Sequence, residues 1–195
     1  MLNIYKPNPK VTGTGLSLQA SDRDGKLYLN LIKQSGWNDQ TKKGSFIANK
    51  DKPGASAVLK FNQMEAGALI DAIENMTTAS FYHVSPSKST RILFAPSNIQ
   101  KEKAPNCFVL TINQAETEDS SKKTNFLIPF TFAEARVIKE YLIHYLHKSF
   151  SIKPQKTDNK QNQQPEEVVA SSEVQPEAQE LQSEQQSASN VDDSW

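Results

Sequence analysis

The residue types that carry out acid–base and metal chemistry are few in this sequence and widely separated. The histidines are His83, His144 and His147, and the last two stand three positions apart, so they could share a metal ion. No Asp, Glu or Cys stands at a fixed spacing from them to complete such a site. We therefore interpret this pair as positive charge near the end of a predicted helix, where the helix dipole favours cations.

The cysteine and a short glycine-containing stretch lack the partners that other reactions require. Cys107 opens a predicted strand without a cationic motif beside it, so we expect a buried structural thiol rather than a nucleophile. Gly13-Thr14-Gly15 precedes a predicted strand instead of a helix, and no Lys followed by Ser or Thr comes after it, which excludes a phosphate-binding loop. The sequence predicts no catalytic residues, no metal ligands, no cofactor and no enzymatic activity.

Lysines and aromatic residues, in contrast, are concentrated in residues 1–60, which contain 10 Lys and Arg against 4 Asp, a net charge of +6. Phosphates need cations along a track, and unpaired bases need flat apolar faces on which to stack. The alternative is that the aromatic residues fill a core and the lysines protect sheet edges from aggregation. The residues that we expect to bind nucleic acid are Lys6, Lys10, Lys26, Tyr28, Lys33, Trp37, Lys42, Lys43, Phe46, Lys50, Lys52 and Lys60, with a smaller second group of Tyr82, Lys88 and Arg91.

Strands would present many of these side chains, because apolar and polar residues alternate in the first half of the sequence. In residues 26–33 the leucines fall on one face, whereas Lys26 and Tyr28 fall on the other. Alternation in a further strand would place Phe46 and Lys50 on one face. The other strands predicted in this half cover residues 14–20, 44–49 and 55–61.

Two helices are predicted from their capping signals. Asn62 and Glu65 have the spacing of a capping box and begin a helix over residues 63–76. Thr131 and Glu134 repeat that spacing at the start of a helix that runs to about residue 148. Pro129 places the strand before it at a sheet edge. The strands predicted between the helices cover residues 79–84, 89–95, 106–113 and 124–130.

The two halves align with each other at the junction of strand and helix. Residues 61–66 match residues 130–135 at a shift of 69, and each junction follows about four predicted strands. We therefore predict an α+β fold in which a ββββα unit is duplicated, with antiparallel sheets packed with two helices. The predicted nucleic-acid-binding domain covers residues 1–150, with repeat one at about 14–76 and repeat two at about 79–148.

The charge is divided between this domain and an acidic tail. The 22 Lys and Arg balance 22 Asp and Glu, but residues 161–195 hold eight of the acids and no Lys or Arg, so residues 1–160 have 22 basic and 14 acidic groups, a formal +8. Residues 151–195 are rich in Gln, Glu, Ser and Pro, and we expect them to be disordered. Asp192, Asp193 and Trp195 at the tip are suited to anchor a protein partner.

The same composition bears on the cellular compartment. A single cysteine excludes an internal disulfide, and no apolar run approaches the roughly 18 residues of a membrane span. The first ten residues lack the apolar segment of a signal peptide. We therefore expect a soluble protein of a reducing compartment, with no membrane partner.

A duplicated ββββα unit with a capped helix after each sheet resembles the Whirly fold, and half of it resembles the positive-cofactor transcription coactivators. Both families bind single-stranded DNA on their β surfaces, and Whirly proteins form tetramers. The resemblance, over about residues 14–148, therefore implies a homo-oligomer that binds single strands. The lysine-rich strand motif of plant Whirly proteins is not matched, so no individual DNA contact is carried over.

Two further resemblances concern the ends of the chain. Residues 5–15 and 37–52 are similar to small single-strand-binding proteins of tailed bacteriophages. The tail resembles that of bacterial single-stranded-DNA-binding proteins, where a Gln/Pro-rich spacer leads to an acidic tip that recruits replication and repair enzymes. Ser194 stands where that family has Pro. These resemblances imply the cytoplasm of a bacterial cell or of a phage-infected host.

The sequence thus favours a single-stranded-DNA-binding protein that coats exposed strands in DNA replication, recombination or repair without reading bases. An RNA-binding or transcription-regulating protein of the same fold stays open, because contact with a 2′-hydroxyl leaves no mark on composition. An adaptor or virion protein, whose basic face serves an acidic protein partner, also stays open.

Overall fold

The structure is a computed structural model that describes residues 1–97, 105–117 and 122–151. Its strands are β1 (Leu2–Lys6), β2 (Thr14–Ala20), β3 (Leu27–Lys33), β4 (Gly36–Asn38), β5 (Lys43–Ser45), β6 (Ser56–Phe61), β7 (Ala79–Val84), β8 (Lys88–Ser97), β9 (Cys107–Glu116) and β10 (Lys123–Thr131). Its helices are α1 (Gln63–Glu74) and α2 (Phe132–Phe150), and Ile47–Asn49 form one 3₁₀ turn. The expectations for Asp192, Asp193, Trp195 and the rest of the tail lie outside the described residues.

Two antiparallel four-stranded sheets form the framework, and each is followed by a helix. The first sheet has the order β1-β2-β3-β6 and the second has the order β10-β9-β8-β7. β4 and β5 pair as a small hairpin between β3 and β6. The predicted α+β class with antiparallel sheets and two helices is confirmed, and β10, which contains Pro129, lies at a sheet edge as expected.

The core lies between the inner faces of the two sheets and the two helices. On β3 the three leucines are buried and the intervening residues are not, because successive side chains of a strand point to opposite faces. Phe61 and Phe130, at the ends of β6 and β10, are almost fully buried, as are Ala66 and Ala135 in the first turns of the helices. Cys107 is buried too. One hydrophobic cluster therefore joins both repeats.

Both predicted capping boxes are present. The Asn62 Oδ1 accepts a hydrogen bond from the Glu65 N–H at 3.0 Å, and the Glu65 Oε2 accepts one from the Asn62 N–H at 2.9 Å. Thr131 and Glu134 make the same reciprocal pair at 3.2 and 2.8 Å. These bonds satisfy N–H groups that a helix start leaves without partners.

The edge strands β1 and β7 occupy equivalent places, which sequence comparison did not reveal. Lys6 lies opposite Thr14 in the first sheet, as His83 lies opposite Thr90 in the second. Both threonines are buried with 4% of their surface exposed. One residue earlier, Tyr5 in β1 and Tyr82 in β7 face away from the core at matching positions.

Each edge strand is joined to the helix cap of the other repeat. The Lys6 Nζ lies 2.5 Å from the Glu134 Oε1, and the His83 Nε2 lies 2.5 Å from the Glu65 Oε1. Burial by itself would raise the pKa of Glu134, but the hydrogen bonds from Lys6 and Thr131 hold it below its usual value. Each capping glutamate therefore fixes its own helix start and the opposite edge strand.

Two parts of the first sheet differ from expectation. β1 was missed, because its Leu2 and Ile4 give only two apolar positions before the prolines of the next loop. The strand predicted over residues 44–49 is wrong: only Lys43–Ser45 is extended, and Phe46, with φ −126° and ψ −18°, begins the 3₁₀ turn. Phe46 and Lys50 therefore do not share a strand face.

We expect Glu134→Gln to lower the free energy of unfolding by about 1 kcal/mol at pH 7, because it removes the ion pair with Lys6 and weakens the helix cap. A carboxylate whose folded pKa is lowered stabilises the fold above its unfolded pKa, and this contribution disappears as the pH falls through the folded value. The difference between parent and variant should therefore shrink below about pH 4.5. Urea denaturation at several pH values measures it.

Glu140→Gln is the control, since Glu140 is exposed on the same helix and lies 4.0 Å from Lys139. It should leave both the stability and its pH dependence unchanged. A constant difference between the parent and Glu134→Gln from pH 7 to pH 3 would contradict the assignment.

Candidate nucleic-acid interface

The outer face of the first sheet is the side opposite the core, and alternation fixes which residues it presents. β3 contributes Tyr28, Asn30 and Ile32 to this face, and β6 contributes Val58 and Lys60. Val58 is 60% exposed, so neither helix covers this part of the face. The outer face of the first sheet is therefore an open β surface with apolar and basic side chains.

A groove of about 670 Å³ lies on this outer face, next to the β4–β5 hairpin. Its aromatic side chains are Tyr5 and Phe46, whose ring centroids are 5.1 Å apart with the rings inclined at 52°. Asn30 and Ser17 also line the groove, together with the oppositely charged Lys50 and Asp51. The groove thus combines apolar surface, groups that form hydrogen bonds, and one cation beside one anion.

Gly15 allows Tyr5 to lie across the sheet. The two residues are opposite each other on β2 and β1. A Cβ at Gly15 would lie 2.6 Å from the Tyr5 ring and 3.1 Å from Ile32, which is too close. A glycine weakens a strand interior but permits close approach, and here it admits an aromatic ring that is still 50% exposed.

Gln34 holds together the segments that form one wall of the groove. Its side-chain amide is 4% exposed and makes four hydrogen bonds. The Oε1 accepts from the N–H groups of Asn8 at 2.8 Å and Gly13 at 3.3 Å. The Nε2 donates to the carbonyls of Asn8 at 3.0 Å and Gly36 at 2.8 Å. The β1–β2 loop and the β4–β5 hairpin are therefore tied to the end of β3.

A second aromatic position lies at the other end of the same face. The Lys60 Nζ sits 5.3 Å from the centroid of the Tyr28 ring, within the range of a cation–π interaction. The Tyr28 hydroxyl donates to the Asp24 carboxylate at 2.8 Å. Hydrogen bonds from Ser21 and Tyr28 are the main causes that lower the pKa of Asp24 to about 2. The Asp24 carboxylate and the Lys60 ammonium group thus hold Tyr28 in place.

Beyond Lys60, a cleft of about 450 Å³ lies where β6 of the first sheet approaches β7 of the second. Lys26 and Lys60 line it from the first sheet, and Tyr82 and His83 line it from the second. From Ile32 in β3 to Lys26 just before it, the chain spans about 20 Å at roughly 3.3 Å per residue. The groove, Tyr28 and this cleft follow one another along this length, and together we call them the β3 track.

No protein-family model and no curated protein matches this chain, but solved structures do. WHY1 from Arabidopsis thaliana has a TM-score of 0.55 at 15% identity, covering 77% of this chain and 84% of that one. Trypanosoma bruciei MRP1/MRP2 has a TM-score of 0.54 at 14% identity, covering 77% and 85%. The fold is Whirly-like. A third match is the plant transcriptional regulator PBF-2, with a TM-score of 0.52 at 14% identity, covering 79% and 96%.

Six of the residues expected to bind nucleic acid lie along the β3 track of this Whirly-like fold. They are Lys26, Tyr28, Phe46, Lys50, Lys60 and Tyr82. Within the described residues, neither Lys26 nor Lys60 makes an ion pair, so both charges are available to a ligand.

Two expected lysines are engaged elsewhere. Lys6 faces the core side of β1 and pairs with Glu134. The Lys33 Nζ lies 5.2 Å from the centroid of the Phe126 ring, on the side of the sheet that faces β10. Neither belongs to the β3 track.

The other expected residues lie apart from the track. Trp37 is on the hairpin, where its Nε1 donates to the Asp39 carboxylate at 3.1 Å, and the Lys42 Nζ is 3.7 Å from that same carboxylate. Their binding of nucleic acid stays a prediction. The remaining candidates are exposed: Lys10, Lys43 and Lys52 at the ends or turns of the first sheet and its hairpin, and Lys88 and Arg91 on β8 of the second sheet.

Tyr5 and Gln34 were missed by sequence analysis. Tyr5 belongs to a strand that the pattern did not predict, although an aromatic residue beside Lys6 was a usable signal. Gln34 gave no signal, because three of its four hydrogen bonds reach Asn8 and Gly13, which are 26 and 21 residues away in sequence. In the described ranges, His, Cys, Asp and Glu form no group of three suited to a metal ion, and no helix has the length and hydropathy to cross a membrane.

We expect Gln34→Leu to lower the free energy of unfolding by about 2–4 kcal/mol, because buried N–H and C=O groups of the loops lose their partners. Chemical denaturation measures the change. Gln40→Leu, on the exposed hairpin turn, is the matched control and should stay within about 0.5 kcal/mol of the parent. Equal stability of Gln34→Leu and the control would show that the loops do not depend on this amide.

Proposed function

We propose that this protein binds single-stranded nucleic acid, with DNA as the main ligand, along the β3 track and without base readout. The observation that carries the proposal is the succession of cations and aromatic rings along the β3 track. Lys50, Lys60 and Lys26 would meet phosphates, while bases stack on Tyr5, Phe46, Tyr28 and Tyr82. Stacking tolerates every base, because each base has a flat π face.

The Whirly-like fold supports this proposal, since that resemblance implies single-stranded DNA binding on β surfaces. The distribution of charge supports it further: residues 1–60 carry a net +6. Because each phosphate contact releases counterions, the affinity should fall steeply as salt rises.

The biological role that we propose is the coating of exposed strands in DNA replication, recombination or repair, in the cytoplasm of a bacterial cell or a phage-infected host. A track of about 20 Å holds only a short stretch of strand, so we propose that copies of the chain assemble for cooperative coating. We also propose that the tip with Asp192, Asp193 and Trp195 recruits replication or recombination proteins, and that the protein is not an enzyme.

A transcription-regulating function is the second candidate, because the structurally similar PBF-2 is described as a plant transcriptional regulator. Comparing the affinities for DNA and RNA oligonucleotides of equal length shows which of the two is the ligand. An adaptor function would show no affinity for polythymidine and saturable binding of an acidic protein instead.

We expect Tyr5→Leu and Phe46→Leu each to weaken binding of a labelled polythymidine of about 30 nucleotides by roughly 1–3 kcal/mol, the contribution of one stacked base. Fluorescence anisotropy at low and moderate salt measures the affinity, with duplex DNA of equal length as the comparison ligand. Phe150→Leu is the matched control, because Phe150 is 72% exposed at the end of α2 and lies outside the track.

The proposed function is wrong if the parent protein does not bind the single strand more tightly than duplex DNA of equal length. Normal affinity of both groove variants, with the single-strand preference intact, would instead move the binding surface away from Tyr5 and Phe46. In that case Trp37→Ala tests the hairpin as the stacking site.

Removal of residues 191–195 from the full chain should leave the polythymidine affinity unchanged, because the proposed cations and rings all lie on the β3 track. The same deletion should abolish a pull-down interaction that the parent makes, whereas Ser194→Ala should retain it. Loss of polythymidine binding on deletion would show that the tip contributes to the DNA site.

A further inference from the structure

We propose that the cleft between β6 and β7 is a phosphate subsite whose strength depends on protonation of His83, so that the protein holds single strands more tightly at pH 6 than at pH 8. The proposal rests on the proposed function and deepens it. It assigns to Lys26, Lys60 and His83 the binding of one phosphodiester group and makes that contact sensitive to protons.

The geometry places an imidazole among lysines in an open concavity. Lys26, Lys60 and His83 line the same cleft, together with Tyr82 at its rim, which is 64% exposed. The edge of the His83 ring is fixed, since its Nε2 lies 2.5 Å from the Glu65 Oε1 and its centroid lies 5.6 Å from that of Phe61. A phosphate that reaches the two lysines therefore comes close to the imidazole.

Protonation of His83 changes the net charge of the cleft. With His83 neutral, the charged residues that line it are Lys26, Lys60 and Glu65, a net charge of +1. A proton on His83 raises this to +2, and histidine is the side chain that changes charge between about pH 5 and 8. Asp24 lies outside the lining, where it acts on Lys60 and Tyr28 and, with its lowered pKa, stays ionised at neutral pH.

The other groups near His83 do not change charge in this range. Burial and the negative charges of Asp24 and Glu65 raise the pKa of Tyr145 in α2, so its phenol stays neutral. Thr90, opposite His83 on β8, and Asn62 at the start of α1 carry no charge. Arg91 lies opposite Tyr82 and stays positive at every pH in question.

The duplicated fold supplies the comparison that isolates this effect. Lys6 is the equivalent of His83 in the first repeat, and it makes the equivalent pair with the other capping glutamate. A lysine at this position stays charged at neutral pH and can hold the edge strand permanently. Histidine in the second repeat keeps the pair but adds a proton-dependent charge beside Lys26 and Lys60, which line the same cleft.

The test is anisotropy of labelled polythymidine with the full chain at pH 6, 7 and 8 and constant ionic strength. The parent should gain about threefold to tenfold in affinity from pH 8 to pH 6, as expected for one added charge near a phosphate at the protein surface. His83→Lys should bind at pH 8 as tightly as the parent does at pH 6, without further pH dependence. His83→Gln should stay at the weaker level throughout.

His147→Gln is the matched control, because His147 is an exposed histidine near the end of α2 and outside the cleft. It should keep the pH dependence of the parent. The imidazole titration of His83, followed by NMR on the parent, is a second measurement that requires no variant. Its midpoint should move to higher pH when polythymidine is bound, since the phosphate stabilises the protonated ring.

Two results would overturn the proposal while leaving the proposed function in place. One is strong single-strand binding whose pH dependence is the same in the parent and in folded His83→Lys. The other is a His83 titration midpoint that does not move on binding. Absence of polythymidine binding at every pH would reject the proposed function and the phosphate subsite together.

Discussion

The positions of both edge strands depend on one kind of interaction, a capping glutamate that serves two repeats at once. Glu65 and Glu134 each use one carboxylate oxygen to cap their own helix and the other to hold a side-chain nitrogen, of His83 or Lys6, on the edge strand of the opposite repeat. Because the two pairs are reciprocal, neither sheet can shift without disturbing the start of the other helix. The same pairs fix the edge strands at Lys6 and His83, one residue after Tyr5 and Tyr82. Four side chains therefore link the helix starts to the strands that carry these two exposed tyrosines.

On this symmetric framework the proposed binding surface is asymmetric. The first repeat inserts the β4–β5 hairpin and the 3₁₀ turn between its last two strands, and Gln34 ties this insertion to the β1–β2 loop. The insertion brings Phe46 against Tyr5 and closes one side of a sheet face that would otherwise be flat. Both repeats thus stabilise the fold in the same way, whereas only the first repeat forms the groove among the described residues.

Local rules predicted the parts of the fold that depend on local contacts. The capping boxes at Asn62 and Thr131, the alternation of β3 and the edge position of Pro129 each follow from neighbouring residues, and all agree with the structure. β1 escaped prediction because its stability comes from pairing with β2, not from its own composition. The true shape of residues 43–50 depends on hydrogen bonds that the Asn49 Nδ2 donates to the distant carbonyls of Lys33 and Gln34. For the site, residue types indicated cations and rings, but only the sheet register could separate Lys60, which lies over the Tyr28 ring on the outer face, from Lys6, which pairs with Glu134 on the core side.

The exposure of Tyr5 and Tyr82 supports the binding role that we propose for their rings. A tyrosine placed for stability would bury its ring, yet at least half of each side chain is open to solvent on an uncovered sheet face. Gly15 strengthens this argument, since glycine weakens the middle of a strand and a larger residue there would push the Tyr5 ring away. Stability alone would favour a β-branched residue at that position. A sheet that keeps a glycine there and leaves an aromatic ring exposed above it is suited to receive another flat ring, such as a nucleobase.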